Sequence, residues 1–224
     1  MSNAELLDRV TVRLGRRGFG KDSTLVASSL CSDEVNRPLE DIFLKYYGQH
    51  FAMGGLAGFP FSGMTGFGAM ASHIPDEGSC LLVYGPHVGV DSDGNVGKII
   101  RRGKEKSGSC CGSAIAATRY LQQVLSGQGE ILPTPSTPMD AQQTYVSNFL
   151  LPYASEITAS KEPMVTLPYV TFRPIDNMMS GIVAKGSSKV GPNGKIAMLG
   201  GLQVSRKIVW RRPPFSHEIH YFAD

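Results

Sequence analysis

The sequence has few cysteines and no long apolar run. Its 224 residues include only Cys31, Cys80, Cys110 and Cys111, too few for a disulfide scaffold of this size. This usage is typical of a reducing compartment, where thiols serve metal binding or chemistry. No apolar stretch reaches the roughly 18 residues that suggest a membrane span. The chain also does not open with a charged region followed by an apolar one, as a secretory signal would. We therefore expect a soluble intracellular protein.

An excess of charge of one sign is also missing. The chain has 22 basic and 19 acidic residues, a formal net charge of +3, and no long run of like charge. This balance does not favour binding to nucleic acid or to an anionic membrane. The densest basic tract, residues 98–106, is predicted to be a solvated loop. With 42% hydrophobic residues, the chain is long enough to form a single domain over residues 1–224 around one core.

Helical patterns alternate with short apolar runs through the first 130 residues. A helix is predicted over 4–17, within an N-terminal helical region spanning 1–20. Buried strands are predicted over 23–31 and 79–87, and a further helix from about 109 to 126. This alternation predicts an α/β domain with a mostly parallel central sheet flanked by helices.

The second half of the chain has a different composition. Residues 129–140 are rich in proline and are predicted to be a connection rather than a helix. A helix is expected to follow, interrupted or ended near Pro152. From about residue 163 to the C-terminus, β-branched and aromatic residues dominate, which favours strands.

Two apparent motifs lack the context that their chemistry needs. GRRGFGKD (15–22) has the spacing of a phosphate-binding loop, but Asp22 replaces the required Ser or Thr and a helix precedes the motif. His217 and His220, in SHEIH, would point to opposite faces of a strand. We therefore predict neither a nucleoside triphosphate site nor a metal site from these motifs.

The remaining candidates are Cys31, His87 and the adjacent Cys110 and Cys111. The two predicted strands end at Cys31 and His87, and their carboxyl ends share one sheet edge, where sites in such folds collect. The cysteine pair lies where the next helix begins, and the helix dipole there favours a thiolate. Two thiolates and one imidazole, with a fourth position left to water, suit a catalytic zinc ion. On spacing alone, unrelated buried thiols and a capped histidine are an equally good explanation.

Three separated motifs resemble one known family. The runs SLCSDEVNRPLE (29–40), LLVYGPHVGVD (81–91) and GSCCGSAIAA (108–117) are similar to the limiting-carbon-dioxide-inducible B family, also called theta-class carbonic anhydrases. The resemblance covers about residue 20 to the C-terminus. It implies a fold similar to β-class carbonic anhydrases, a homodimer, and a zinc ion (Zn²⁺) bound by two cysteines and a histidine.

Carried onto this sequence, the resemblance implies that Cys31, His87 and Cys111 are the zinc ligands. Cys111 is chosen over Cys110 because Gly112 follows it, as in the Cys-Gly of the β-class pattern. Neighbours on a helix diverge by about 100°, so Cys110 is expected to face elsewhere. The β-class His-X-X-Cys spacing is absent, because Cys111 stands 24 positions after His87.

The β-class pattern Cys-X-Asp-X-Arg is kept only in part. Asp33 stands two residues after Cys31, but the nearest arginine is Arg37, four residues beyond Asp33. We expect both to be catalytic: Arg37 holds the Asp33 carboxylate ionised and off the metal, and Asp33 orients the water that zinc activates. If Arg37 does not fill this role, Arg101 or Arg102 is the alternative.

The resemblance implies the reversible hydration of carbon dioxide to bicarbonate by a carbonic anhydrase. The alternative is a homologue that keeps the zinc but acts as a non-catalytic partner in inorganic-carbon handling, as in a carbon-concentrating mechanism. Phe59, Phe61 and Phe67 are candidates for an apolar substrate wall, and His73 is a candidate proton shuttle. The implied location is the cytoplasm in a bacterium or the chloroplast in an alga.

Overall fold

The computed structural model describes residues 1–129 and 138–206. In chain order, the strands are β1 (Thr24–Ser29), β2 (His50–Ala52), β3 (Ser79–Tyr84), β4 (His87–Val90), β5 (Lys98–Ile99), β6 (Gly108–Ser109), β7 (Ile196–Gly200) and β8 (Gln203–Arg206). The α-helices are α1 (Asn3–Gly15), α2 (Arg37–Tyr47), α3 (Gly63–Ala71), α4 (Gly112–Leu125), α5 (Ala141–Leu150), α6 (Ala154–Ala159) and α7 (Pro163–Gly186). Short 3₁₀ turns join several of them.

The central sheet has four parallel strands in the order β2-β1-β3-β7. Every residue of β1 and β3 is buried, because helices cover both faces. Burial on both faces explains why these strands are continuous apolar runs in the sequence. A separate parallel pair joins β4 to β8, and β5 and β6 form a short antiparallel hairpin. The predicted α/β domain with a parallel central sheet is confirmed.

Alternate strand residues point into two apolar layers, as the two-residue period of a strand requires. On one side, Leu25, Ala27 and Leu82 pack with residues of α3, α4 and α7, among them Phe67, Leu121 and Ile175. On the other, Val26, Leu81 and Val83 pack with residues of α1 and α2, among them Val10, Leu14 and Phe43. The sheet is thus the middle of three layers.

The expectation of strands from residue 163 is wrong for its first part, because Pro163–Gly186 forms the long helix α7. The β-branched and aromatic side chains suggested strand, but the buried positions follow a helical period: Leu167, Val170, Thr171, Ile175, Met179 and Ile182. Packing against the sheet outweighs the weak intrinsic preference of these residues for strands. Residues 196–200 and 203–206 do form strands, as expected.

Two of the sequence predictions concern residues outside the described ranges. Most of the proline-rich connection and the whole of SHEIH lie outside the described residues.

The stretch 16–22 follows a helix and precedes a strand, the reverse of the order that a phosphate-binding loop needs. In the ranges 1–129 and 138–206, no helix combines the length and apolar character needed to cross a membrane.

The chain leaves the central sheet between β3 and β4, at Gly85 and Pro86. Gly85 has φ of 144°, and a Cβ atom added there would lie 1.9 Å from the Gly201 carbonyl oxygen. The glycine is needed both for its backbone conformation and for this close approach of two backbones. The break ends β3 at Tyr84, so His87 begins β4 instead of ending the predicted strand 79–87.

We predict that Gly85→Ala lowers the free energy of unfolding by about 2 to 4 kcal/mol, since backbone atoms must move to admit the methyl group. The matched control is Gly181→Ala within α7, where an added Cβ meets no described atom within 4 Å. That change should raise the free energy of unfolding by up to about 1 kcal/mol. Urea titrations of the three proteins measure both effects, and equal stability of the two variants would contradict the account of Gly85.

Candidate metal centre

Cys31 follows the carboxyl end of β1 and is buried. Its carbonyl oxygen accepts hydrogen bonds from Asn36 Nδ2 at 3.0 Å and from Arg37 Nη2 at 3.1 Å. These donors lie in the turn and the first residue of α2, directly after the cysteine. The backbone at Cys31 is therefore fixed by its own downstream chain.

His87 is the first residue of β4, and its side chain is only 1% exposed. The Nδ1 atom lies 3.5 Å from Cys110 Sγ. The Nε2 atom is buried and makes no hydrogen bond within the described part of the chain. A buried imidazole nitrogen without a partner is costly, and metal binding is one way to satisfy it.

Cys111 caps the N-terminus of α4, and its Sγ lies 3.8 Å from Cys31 Sγ. One ligand atom from each of Cys31, His87 and Cys111 lies within 4.8 Å of the others. Two thiolates bound tetrahedrally to zinc at about 2.3 Å have their sulfur atoms about 3.8 Å apart. The donor types and the sulfur separation therefore fit a zinc ion, and these three residues can hold a metal.

The two sulfur atoms share a hydrogen bond that separates their proton affinities. The pKa of Cys31 is lowered because the Cys111 thiol donates to its thiolate, with His87 contributing in the same direction. The pKa of Cys111 is raised by that same bond and by burial, while the Ser113 and Ala114 amides at the start of α4 act against the rise. The expected depression of the Cys111 pKa by the helix is thus present but outweighed.

Cys110 does not face away from the site, contrary to the expectation from the sequence. The helix begins at Gly112, so the two cysteines precede it and the helical angle between neighbours does not apply to them. Cys110, His87 and Asp33 form a second group whose potential ligand atoms lie within 4.8 Å of one another. Burial raises the pKa of Cys110 to about 12, which keeps it a neutral thiol.

Asp33 lies beside the ligands, and Arg101 binds it. Arg101 Nη2 donates to Asp33 Oδ2 at 2.7 Å, and Asp33 Oδ2 lies 4.0 Å from His87 Nε2. The predicted clamp by Arg37 is wrong: Arg37 pairs with Glu40 at 2.5 Å and with the Cys31 carbonyl oxygen. Of the two alternatives raised from the sequence, the structure selects Arg101.

The β5–β6 hairpin carries this arginine to the aspartate. Arg101 also donates to the Ser109 carbonyl oxygen at 3.1 Å and to Glu34 Oε1 at 2.9 Å. The sequence predicts a solvated loop over 98–106, and Gly103 is a local signal there that could have indicated a hairpin. Nothing in the sequence alone indicates where such a hairpin docks.

The phenylalanines expected to form a substrate wall lie mainly in the core. Phe59 and Phe67 are fully buried, and Phe59 stacks on Phe149 with ring centroids 5.0 Å apart. A narrow cavity next to the candidate ligands is instead lined mostly by small and aliphatic side chains, including Ala57, Ala114, Ile115, Met164 and Leu167. His73 follows α3, and its ring packs edge-on against the ring of Phe51. Its role as a proton shuttle stays a prediction.

Comparison with known proteins identifies the family. The family model for the limiting CO2-inducible proteins B/C beta carbonic anhydrases matches residues 1–223. The chain belongs to this family. No curated protein matches it.

Solved structures agree with this assignment. The crystal structure of PtLCIB4, a homolog of the limiting CO2-inducible protein LCIB, is 49% identical, with a TM-score of 0.86 over 92% of this chain and 84% of that chain. The crystal structure of the limiting CO2-inducible protein LCIB is 24% identical, with a TM-score of 0.72 over 92% of this chain and 83% of that one. The second likeness is one of fold.

We predict that Cys31→Ser, His87→Ala and Cys111→Ser each lose most of the bound zinc, because each removes one of three converging ligands. The control is Cys80→Ala, which changes a buried cysteine of β3 outside both candidate groups and should keep its zinc. Metal analysis of the purified proteins gives zinc per chain. Full zinc retention by any one of the three variants would remove that residue from the ligand set.

Proposed function

We propose that this protein is a zinc-dependent carbonic anhydrase that reversibly hydrates carbon dioxide to bicarbonate. The observation that carries the proposal is the convergence of Cys31, His87 and Cys111 beside a carboxylate, Asp33, that an arginine holds. Membership of a family described as beta carbonic anhydrases supports the same reaction. The expected homodimer stays a prediction.

Cys31, His87 and Cys111 would hold the metal, which leaves one position of a tetrahedral zinc ion for water. A zinc ion in such a site lowers the pKa of its water to about 7 and so supplies a nucleophile at neutral pH. The burial of all three ligands limits competing water and strengthens electrostatic interactions within the site. The chain's own residues then determine how the water is oriented and where the substrate lies.

Asp33 is suited to orient that water. Its Oδ2 atom accepts a charge-assisted hydrogen bond from Arg101, which fixes the direction of the carboxylate. Arg101 is itself held by the Ser109 carbonyl oxygen and Glu34. A carboxylate anchored in this way would accept a hydrogen bond from the reacting water and would be kept from binding the metal itself.

The substrate is small and nonpolar, and the neighbouring cavity has matching chemistry. Ala57, Ala114 and Leu167 contribute apolar walls next to His87 and Cys111. An apolar wall accepts carbon dioxide without competing hydrogen bonds and releases bicarbonate, whose charge is poorly solvated there.

The test of the proposed reaction is a stopped-flow carbon dioxide hydration assay on protein whose zinc content is measured in the same sample. We expect hydration that scales with zinc and disappears in Cys31→Ser. Stoichiometric zinc without hydration would refute catalysis and favour the alternative of a non-catalytic zinc-binding partner.

A sharper prediction concerns the clamp. Arg101→Ala should keep zinc but lower the hydration rate by about 10²- to 10⁴-fold, because Asp33 loses the cation that orients it. Arg102→Ala removes the same charge from an exposed neighbour on the same loop and should retain the parent rate. A crystal structure of the Arg101 variant is expected to have Asp33 turned toward the metal.

The same assay distinguishes the two candidate arginines. Arg37→Ala removes a hydrogen bond to the Cys31 carbonyl oxygen and the partner of the buried Glu40, so its main effect should be on stability. A parent rate in Arg101→Ala together with a large loss in Arg37→Ala would restore the clamp inferred from the sequence.

A further inference from the structure

We propose that Cys110 is a positioning residue for His87: its sulfur accepts a hydrogen bond from Nδ1–H and so directs Nε2 toward the metal. The inference rests on the proposed zinc site. It also assigns different roles to the two adjacent cysteines, with Cys111 as a ligand and Cys110 as the partner of the third ligand.

The two nitrogens of the His87 ring have different surroundings. Nδ1 lies 3.5 Å from Cys110 Sγ, whereas Nε2 has no hydrogen-bond partner in the described residues and lies 4.0 Å from Asp33 Oδ2. A neutral imidazole carries one N–H and one lone pair. With the proton on Nδ1, facing the sulfur, the lone pair is on Nε2, which is the form a metal needs.

Cys110 is fixed to the same strand that carries His87. Its carbonyl oxygen accepts from Gly89 N at 3.0 Å, and its amide donates to the Gly97 carbonyl oxygen at 2.9 Å. A Cβ atom at Gly89 would lie 2.7 Å from Cys110 Cβ, so the cysteine packs directly on the strand two residues beyond the histidine. The position of the sulfur relative to the ring is therefore determined by backbone contacts on both sides of Cys110.

This arrangement corresponds to the general role of groups around a metal ligand. Histidines that bind metals usually donate their other N–H to a carboxylate, a carbonyl oxygen or water, which fixes the tautomer and the ring orientation. Here a buried thiol takes that position. A sulfur atom is a weaker acceptor than a carboxylate, so the hydrogen bond orients the ring while adding little negative charge.

The alternative is that Cys110 is itself a ligand, in the group that it forms with Asp33 and His87. Two contacts argue against it. Asp33 is already bound by Arg101 at 2.7 Å, and the thiol pair with the separation suited to zinc is Cys31 and Cys111, at 3.8 Å.

The first experiment measures zinc affinity by competition with a chelator for the parent protein, Cys110→Ala and Cys110→Ser. Loss of the acceptor in Cys110→Ala should weaken zinc binding by about 10- to 100-fold. Cys110→Ser keeps a hydrogen-bond acceptor at the same position and should remain within a few-fold of the parent. Cys80→Ala is the control for loss of a buried sulfur elsewhere.

The second experiment reads the ring directly, by ¹⁵N NMR of the histidine side chains in the zinc-free and zinc-loaded full-length protein. We expect the His87 proton on Nδ1 in the parent and in Cys110→Ser, and a change of tautomer or a mixture in zinc-free Cys110→Ala. Because the zinc-free spectra need no metal, they test this inference even if the parent binds no zinc and the proposed function fails.

Three results would overturn the inference. One is parent zinc affinity together with an unchanged His87 signal in Cys110→Ala. Another is equal loss of affinity in the alanine and serine variants, which would indicate packing rather than a hydrogen bond. The third is complete loss of zinc in Cys110→Ala with retention in Cys111→Ala, which would make Cys110 the ligand.

Discussion

The approach of two buried sulfur atoms, Cys31 Sγ and Cys111 Sγ, to 3.8 Å is the constraint on which the rest of the site depends. They are 80 positions apart in the chain, so only the tertiary fold can bring them together. The first lies just beyond the end of a buried parallel strand, and the second caps a helix packed over the same sheet. Two thiols held in such contact are poorly suited to apolar packing alone and well suited to a soft or borderline metal ion.

The sequence was sufficient to predict β1, β3 and the helix after the cysteine pair, although it placed His87 at the end of a strand and not at the start of β4. β1 and β3 are buried on both faces, so each is a continuous apolar run, and such runs are predictable because burial leaves little freedom in residue type. The three candidate ligands follow from these strand ends, from the cysteine pair before α4, and from the family resemblance. The structure brings Cys31, His87 and Cys111 together as that reasoning expects.

The sequence was not sufficient where tertiary contacts outweigh local preference. Helix α7 contains Pro168 and Pro174 as well as β-branched residues, and only its packing against the sheet makes it a helix. The helical angle between neighbours predicts that Cys110 faces away from the site, but the helix begins only at Gly112, after both cysteines. Arg37 was chosen for its closeness in sequence to Asp33, whereas the carboxylate is bound by a hairpin that docks from far along the chain.

The departures at Cys110 and Arg37 have a common origin in the segment between His87 and Cys111. In the β-class patterns, His-X-X-Cys and Cys-X-Asp-X-Arg, the histidine is close to the second cysteine and the arginine stands two residues after the aspartate. Here the two ligands are 24 positions apart, and the residues between them include the hairpin that carries Arg101 to Asp33 and Cys110 to His87. The longer connection therefore supplies the cation that the local pattern lacks. It also links the two groups beside the metal, since Arg101 is bonded to the carbonyl of Ser109, the residue before Cys110. A displacement of this hairpin would loosen the carboxylate and the histidine together.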